Sequence, residues 1–120
     1  MASALLGAML DPRTRANDPE AVRYVLDAVN RPPRRGMQRA MASLMLRRPS
    51  LLDRLERIDV PTLLMTGDDA MLPIETAREQ AARIPRGRAL HIPGTRHLPA
   101  MEDAATTGAA LAAWLAEGGR

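Results

Sequence analysis

Two short stretches of this sequence hold the residues best suited to chemistry. Thr66-Gly67-Asp68-Asp69-Ala70-Met71-Leu72-Pro73 offers two adjacent carboxylates, and Gly94-Thr95-Arg96-His97-Leu98-Pro99 offers an imidazole. A buried carboxylate set against a histidine is the orienting pair of nucleophilic acyl transfer. The carboxylate fixes the imidazole tautomer and stabilises the imidazolium formed when the ring takes a proton. The candidates are His97 as base and Asp68 or Asp69 as its acid. Asp68 can equally be a turn-forming neighbour, because aspartate favours such turns. The second histidine, His91, alternates within a strand pattern and reads as structural.

Both stretches need a scaffold that brings them together, and the second half of the chain supplies the pattern for one. Ile58 to Gly67 is a continuous apolar run bounded by Pro61 and Gly67, which predicts a strand buried on both faces, as in a parallel sheet. Pro73 opens a helix to about Ile84 with Ala77, Ala81 and Ile84 facing inward. Arg88 to Pro93 reads as a second strand, and Glu102 to Leu115 as a last helix carrying Leu111, Trp114 and Leu115 on one face. A strand, a crossover helix and a strand make two parallel neighbours. Loops leaving the carboxyl ends of such strands converge on one crevice, and the carboxylates and the imidazole lie in those two loops.

The first half reads as helical throughout. Met1 to Leu10 is an apolar helix that lacks the positive start of a signal peptide. Asp18-Pro19 caps a helix with the stripe Ala21, Val22, Val25, Leu26 and Val29, which ends before Pro32-Pro33. A second helix runs from about Arg34 to Arg47, with Met37, Met41, Leu44 and Met45 on a face expected to be core or pocket lining. Ser50 caps a short helix carrying Leu51, Leu52 and Leu55.

The stretch "VPTLLMTGDD", followed by "IPGTRHLPAMED" and a closing helix, resembles the C-terminal part of an α/β-hydrolase, whose chain order is serine, acid, histidine. The "RRGMQRAMASLMLRRPSLLDRLERI" run before it resembles the helical cap of that family. The resemblance covers essentially the whole chain. It implies an α/β fold with a helical cap over residues 1–57, then over residues 58–120 a partial parallel sheet of two strands with flanking helices. It also implies that Asp69, four residues before Pro73, orients His97, with Asp68 as the alternative acid. The departures are as informative. No Gly-x-Ser-x-Gly elbow occurs, and the serines are Ser3, Ser43 and Ser50. Ser43 sits mid-helix without glycines, where its hydroxyl cannot occupy the sharp exposed turn of a hydrolase nucleophile. The acid loop is one residue short between Gly67 and Pro73, and Arg96 stands where the family has glycine.

Composition narrows the remaining classes. The chain of 120 residues has no cysteine, which excludes a disulfide framework and a thiolate metal site and suits a reducing cytoplasm. All 17 basic residues are arginine, and 14 carboxylates reduce the net charge to +3. The cluster Arg31, Arg34, Arg35, Arg39, Arg47 and Arg48 lacks the aromatic interleaving of a nucleic-acid surface and reads as a solvated helix face. No run approaches the roughly 20 apolar residues of a membrane span. The expectation is therefore a partial hydrolase acting on a small ester-like substrate without metal or organic cofactor. It would be a truncated product, a misassigned start or half of a split enzyme, with neither nucleic acid nor membrane as partner. Two strands leave an open sheet edge, which a complementing N-terminal half or a second copy would cover. The alternatives are a non-catalytic interaction module and a basic nucleic-acid binder.

Overall fold

The computed structural model describes residues 2–69 and 71–119; Met1, Ala70 and Arg120, and the side chains of Ala2 and Ser3, lie outside it. The expected helix start at Met1, the middle of the acid loop and the Ser3 hydroxyl are therefore not described. The chain runs through helices α1 (Ala2–Met9), α2 (Pro12–Asn17), α3 (Pro19–Asn30) and α4 (Arg34–Met41), a π-helical turn (Ala42–Leu46) and a 3₁₀ helix (Leu52–Arg57). There follow β1 (Thr62–Thr66), α5 (Ile74–Arg83), β2 (Gly87–His91), α6 (Pro99–Glu102) and α7 (Ala104–Ala116).

Local chemistry explains where these helices begin. Asp18 accepts hydrogen bonds from the amides of Glu20 (3.0 Å) and Ala21 (2.9 Å) at the start of α3, and Pro19 at the first helical position has no amide to leave unpaired. Asp11 caps α2 in the same way, through Arg13 N at 2.9 Å, a short helix that the sequence pattern did not separate from its neighbours. The Ser50 hydroxyl accepts from Leu52 N at 3.2 Å.

The two strands pair in parallel, with Thr62 opposite Gly87 and Thr66 opposite His91. Ala77 and Ala81 of the crossover α5, and Ile84 just past its end, are buried against them. The strand is shorter than the apolar run, however, and Thr62 to Met65 are only half-buried. The expectation of burial on both faces is corrected: a two-stranded sheet has too few layers around it to enclose a strand. A second apolar cluster is built from Leu10, Ala21 and Val25, with Leu5, Leu6, Met9 and Val22 around it and Leu98 and Met101 contributed from beyond β2. The first thirty residues therefore pack directly on the segment that follows His97.

Three helical expectations are also corrected. The helix from Arg34 loses its α register at Ala42 and continues as a π turn, and Met41, Leu44, Met45 and Leu46 are exposed, Met45 by 70% and Leu46 by 82%. The closing helix is broken at Asp103, whose backbone leaves the helical region and whose carboxylate caps α7 through Thr106 N at 2.9 Å. Leu111 and Leu115 on α7 face outward while Trp114 is half-buried. Among the described residues, no helix is long and apolar enough to cross a membrane.

Candidate active site

Thr66 and His91 end their strands side by side, so the loops that follow leave the same end of the sheet. Residue 67 must be glycine for those loops to touch. A Cβ there would collide with the Thr95 hydroxyl and with the carbonyl oxygens of Thr95 and Arg96. Asp68 N then donates to Thr95 O at 2.7 Å, and the Thr66 hydroxyl, buried, donates to Leu72 O at 2.7 Å, which pins the far side of the acid loop. Thr95, fully buried, donates its own hydroxyl to Ile92 O at 2.7 Å.

On this frame Asp69 and His97 meet. Asp69 Oδ2 lies 2.7 Å from His97 Nδ1, and Asp69 Oδ1 accepts from Met71 N at 2.9 Å. The Asp69 side chain is 6% exposed and the His97 ring 36%, so the carboxylate is enclosed while the ring reaches the surface. Burial pushes the Asp69 carboxyl up, but the hydrogen bonds from His97 and Met71 and the charges of His97 and Arg96 outweigh it, and the group is held below its ordinary value. An ionised carboxylate can only accept, so Nδ1 is the donor. In the neutral ring the lone pair then sits on Nε2, the nitrogen turned away from the acid.

Asp68 makes a different set of contacts. Its Oδ1 lies 2.9 Å from His91 Nε2 and its Oδ2 accepts from Gly94 N at 2.8 Å. The two adjacent aspartates thus each hold one of the chain's two histidines. The alternative pairing of Asp68 with His97 is not the one formed, because Asp68 is drawn to the strand end and to Gly94. His91, read as a structural histidine, is the partner of Asp68.

Contacts that the sequence did not announce hold the histidine loop from the other side. Glu102 accepts from Arg96 N and from Asp11 N, both at 2.6 Å, and so clamps the loop before His97 to the turn between α1 and α2. His97 N donates to Met9 O at 3.2 Å, and the Arg96 guanidinium donates to Gly7 O. Glu102 lies in the "HLPAMED" run, but its partners are 6 and 91 residues away, and no local pattern encodes the second.

None of the hydrogen bonds formed by the described residues brings a serine hydroxyl to the His97 ring. Ser43 lies exposed in the π turn, and Ser50 is engaged with Leu52. Among the described residues, no group of three or more histidine, aspartate or glutamate side chains could hold a metal ion.

No family profile and no curated protein matches the sequence. A solved structure does. A thermophilic esterase from Thermogutta terrifontis, determined with malate bound, superposes with a TM-score of 0.85 at 30% identity over 97% of this chain. The chain is similar in fold to part of an esterase. It spans 43% of that enzyme's chain, so less than half of the esterase's length has a counterpart here. The similarity supports a hydrolase-like origin for a mixed α/β chain.

Proposed function

We propose that this chain is the acid-and-base portion of an α/β-hydrolase acting on a small ester or related carbonyl substrate. The observation that carries the reading is the 2.7 Å contact between a 6%-exposed aspartate and the Nδ1 of a histidine whose ring reaches the surface. Fold similarity to an esterase supports it. In this reading residues 1–57 are the cap, residues 58–120 belong to the hydrolase core, and the nucleophile is a serine outside the residues described.

The chemistry follows from the arrangement. His97 Nε2 takes the proton from the serine hydroxyl as its oxygen bonds to the substrate carbonyl carbon. Asp69 stabilises the resulting imidazolium, and Nε2 then returns the proton to the leaving alkoxide as the ester C–O bond breaks. Water repeats the cycle on the acyl-serine and releases the acid. No metal or organic cofactor is required for these steps.

The test is hydrolysis of a chromogenic short-chain ester by this chain, alone and mixed with the part of the Thermogutta esterase that it does not cover. The chain alone should be inactive. The mixture should hydrolyse the ester, and His97→Ala should reduce the rate by at least the ~100-fold typical of a lost general base. A mixture with no activity, or activity indifferent to His97→Ala, contradicts the proposal.

A further inference from the structure

The geometry points to Asp68 as a positioning residue that sets the Asp69–His97 couple by tethering the start of the histidine loop. Three contacts carry the inference. Asp68 Oδ2 accepts from Gly94 N at 2.8 Å, Asp68 Oδ1 contacts His91 Nε2 at 2.9 Å, and Asp68 N donates to Thr95 O at 2.7 Å. One residue thus grips the last residue of β2 and two residues of the loop that leads to His97.

Gly94 is where this grip matters. It sits at φ +75°, a left-handed conformation that glycine adopts without a Cβ penalty, and the Arg13 guanidinium occupies the space a Cβ would take. Its carbonyl accepts from Arg13 Nη2 at 3.1 Å while its amide is held by Asp68. The peptide groups on both sides of Gly94 are therefore fixed, and His97 follows three residues later. Because Asp68 and Asp69 are consecutive, a shift of the loop relative to Asp68 is also a shift of His97 relative to Asp69. A displacement of about 1 Å is enough to break a hydrogen bond of this kind.

An exposed aspartate beside a half-buried histidine is ordinarily worth little to stability, and the Asp68 side chain is 55% exposed. Its value here is directional: it closes the loop geometry through a backbone amide. The Gly94 amide acts most strongly in holding the carboxyl below its ordinary value; burial opposes it, and His91 and the Arg13 charge add to the lowering, which keeps the group an acceptor at neutral pH.

The functional meaning of this tether rests on the reading of Asp69 and His97 as the catalytic couple, but its test does not. The chain has only two histidines, so a histidine-ring ¹⁵N spectrum of the full chain at mildly alkaline pH resolves each tautomer. Asp68→Ala should abolish the Nδ1–H preference of His97. Asp68→Asn, whose side-chain oxygen can still accept from Gly94 N, should retain it. Persistence of the preference in Asp68→Ala, or its loss in both variants, overturns the inference. Should Asp68→Ala fail to fold, hydrogen exchange of the unaltered chain decides: the Gly94 amide should exchange at least tenfold more slowly than an unbonded loop amide, and unprotected exchange overturns the tether. Absence of the Nδ1–H preference in the unaltered chain would instead count against the catalytic couple itself.

Discussion

Asp69 is where burial and charge meet in this protein. An enclosed carboxylate is costly unless its oxygens are satisfied, and here His97 and the Met71 amide satisfy both. Asp69→Ala removes the acceptor from both donors and should destabilise the chain by about 1–3 kcal/mol, measured as a shift in the urea midpoint. The pH dependence has a definite sign. Because the folded-state carboxyl is held below its ordinary value of 3.8, its contribution is fully present above that value and is lost as pH falls through the lower, folded one. Urea midpoints should drop on acidification through that window, and the drop should be shallower in Asp69→Asn. Superimposable acid limbs would mean that the carboxylate contributes nothing through ionisation.

At the level of elements, the parallel strands, the crossover helix and the two converging loops were legible because each rests on local signals. The apolar run before Gly67, Pro73 opening a helix, and Ala77, Ala81 and Ile84 at helical spacing are examples. The residue pairing was less so. Asp68 and Asp69 are chemically identical and adjacent, and only the position of Gly94 in three dimensions assigns Asp68 to His91. Glu102 could not be read as a clamp because its partner at Asp11 is fixed by the packing of α1 and α3 against Leu98 and Met101. The break at Asp103 was written in a residue that favours helix starts, but the apolar periodicity on either side concealed it. Gly67→Ala tests the closeness of the two loops: the added methyl meets backbone and the Thr95 hydroxyl, which cannot swing away. The variant should lower the melting temperature by at least the ~4 °C that accompanies about 1 kcal/mol in a domain of this size, and unchanged melting would contradict the contact. Asp103→Ala should cost about 1 kcal/mol by loss of the α7 cap, seen in the same melts.

The whole molecule leaves unusually large apolar side chains in water. Met41, Leu44, Met45, Leu46, Leu51 and Leu52 are all exposed in one stretch of chain. That stretch lies between Asp27 and Asp53, where the sequence has no carboxylate. Helical spacing of Met37, Met41, Leu44 and Met45 suggested a core or pocket face, but spacing cannot say whether anything covers it, and Met41, Leu44 and Met45 are exposed where the α register is lost. In the proposed reading the cover is the remainder of a hydrolase, in keeping with a chain that spans less than half of the esterase it resembles. Met45→Glu together with Leu46→Glu should therefore reduce binding of an apolar fluorescent dye at least twofold without altering the circular dichroism spectrum. Undiminished dye binding would mean that these side chains are shielded in solution.

The proposed chemistry turns on which nitrogen of His97 the acid holds. The histidine-ring ¹⁵N spectrum of the unaltered chain, recorded beside that of Asp69→Asn, reads this directly. His97 should be an Nδ1–H imidazole, and that preference should be lost when residue 69 no longer carries a carboxylate. An Nε2–H ring in the unaltered chain, or a spectrum that Asp69→Asn leaves untouched, would contradict the proposed couple.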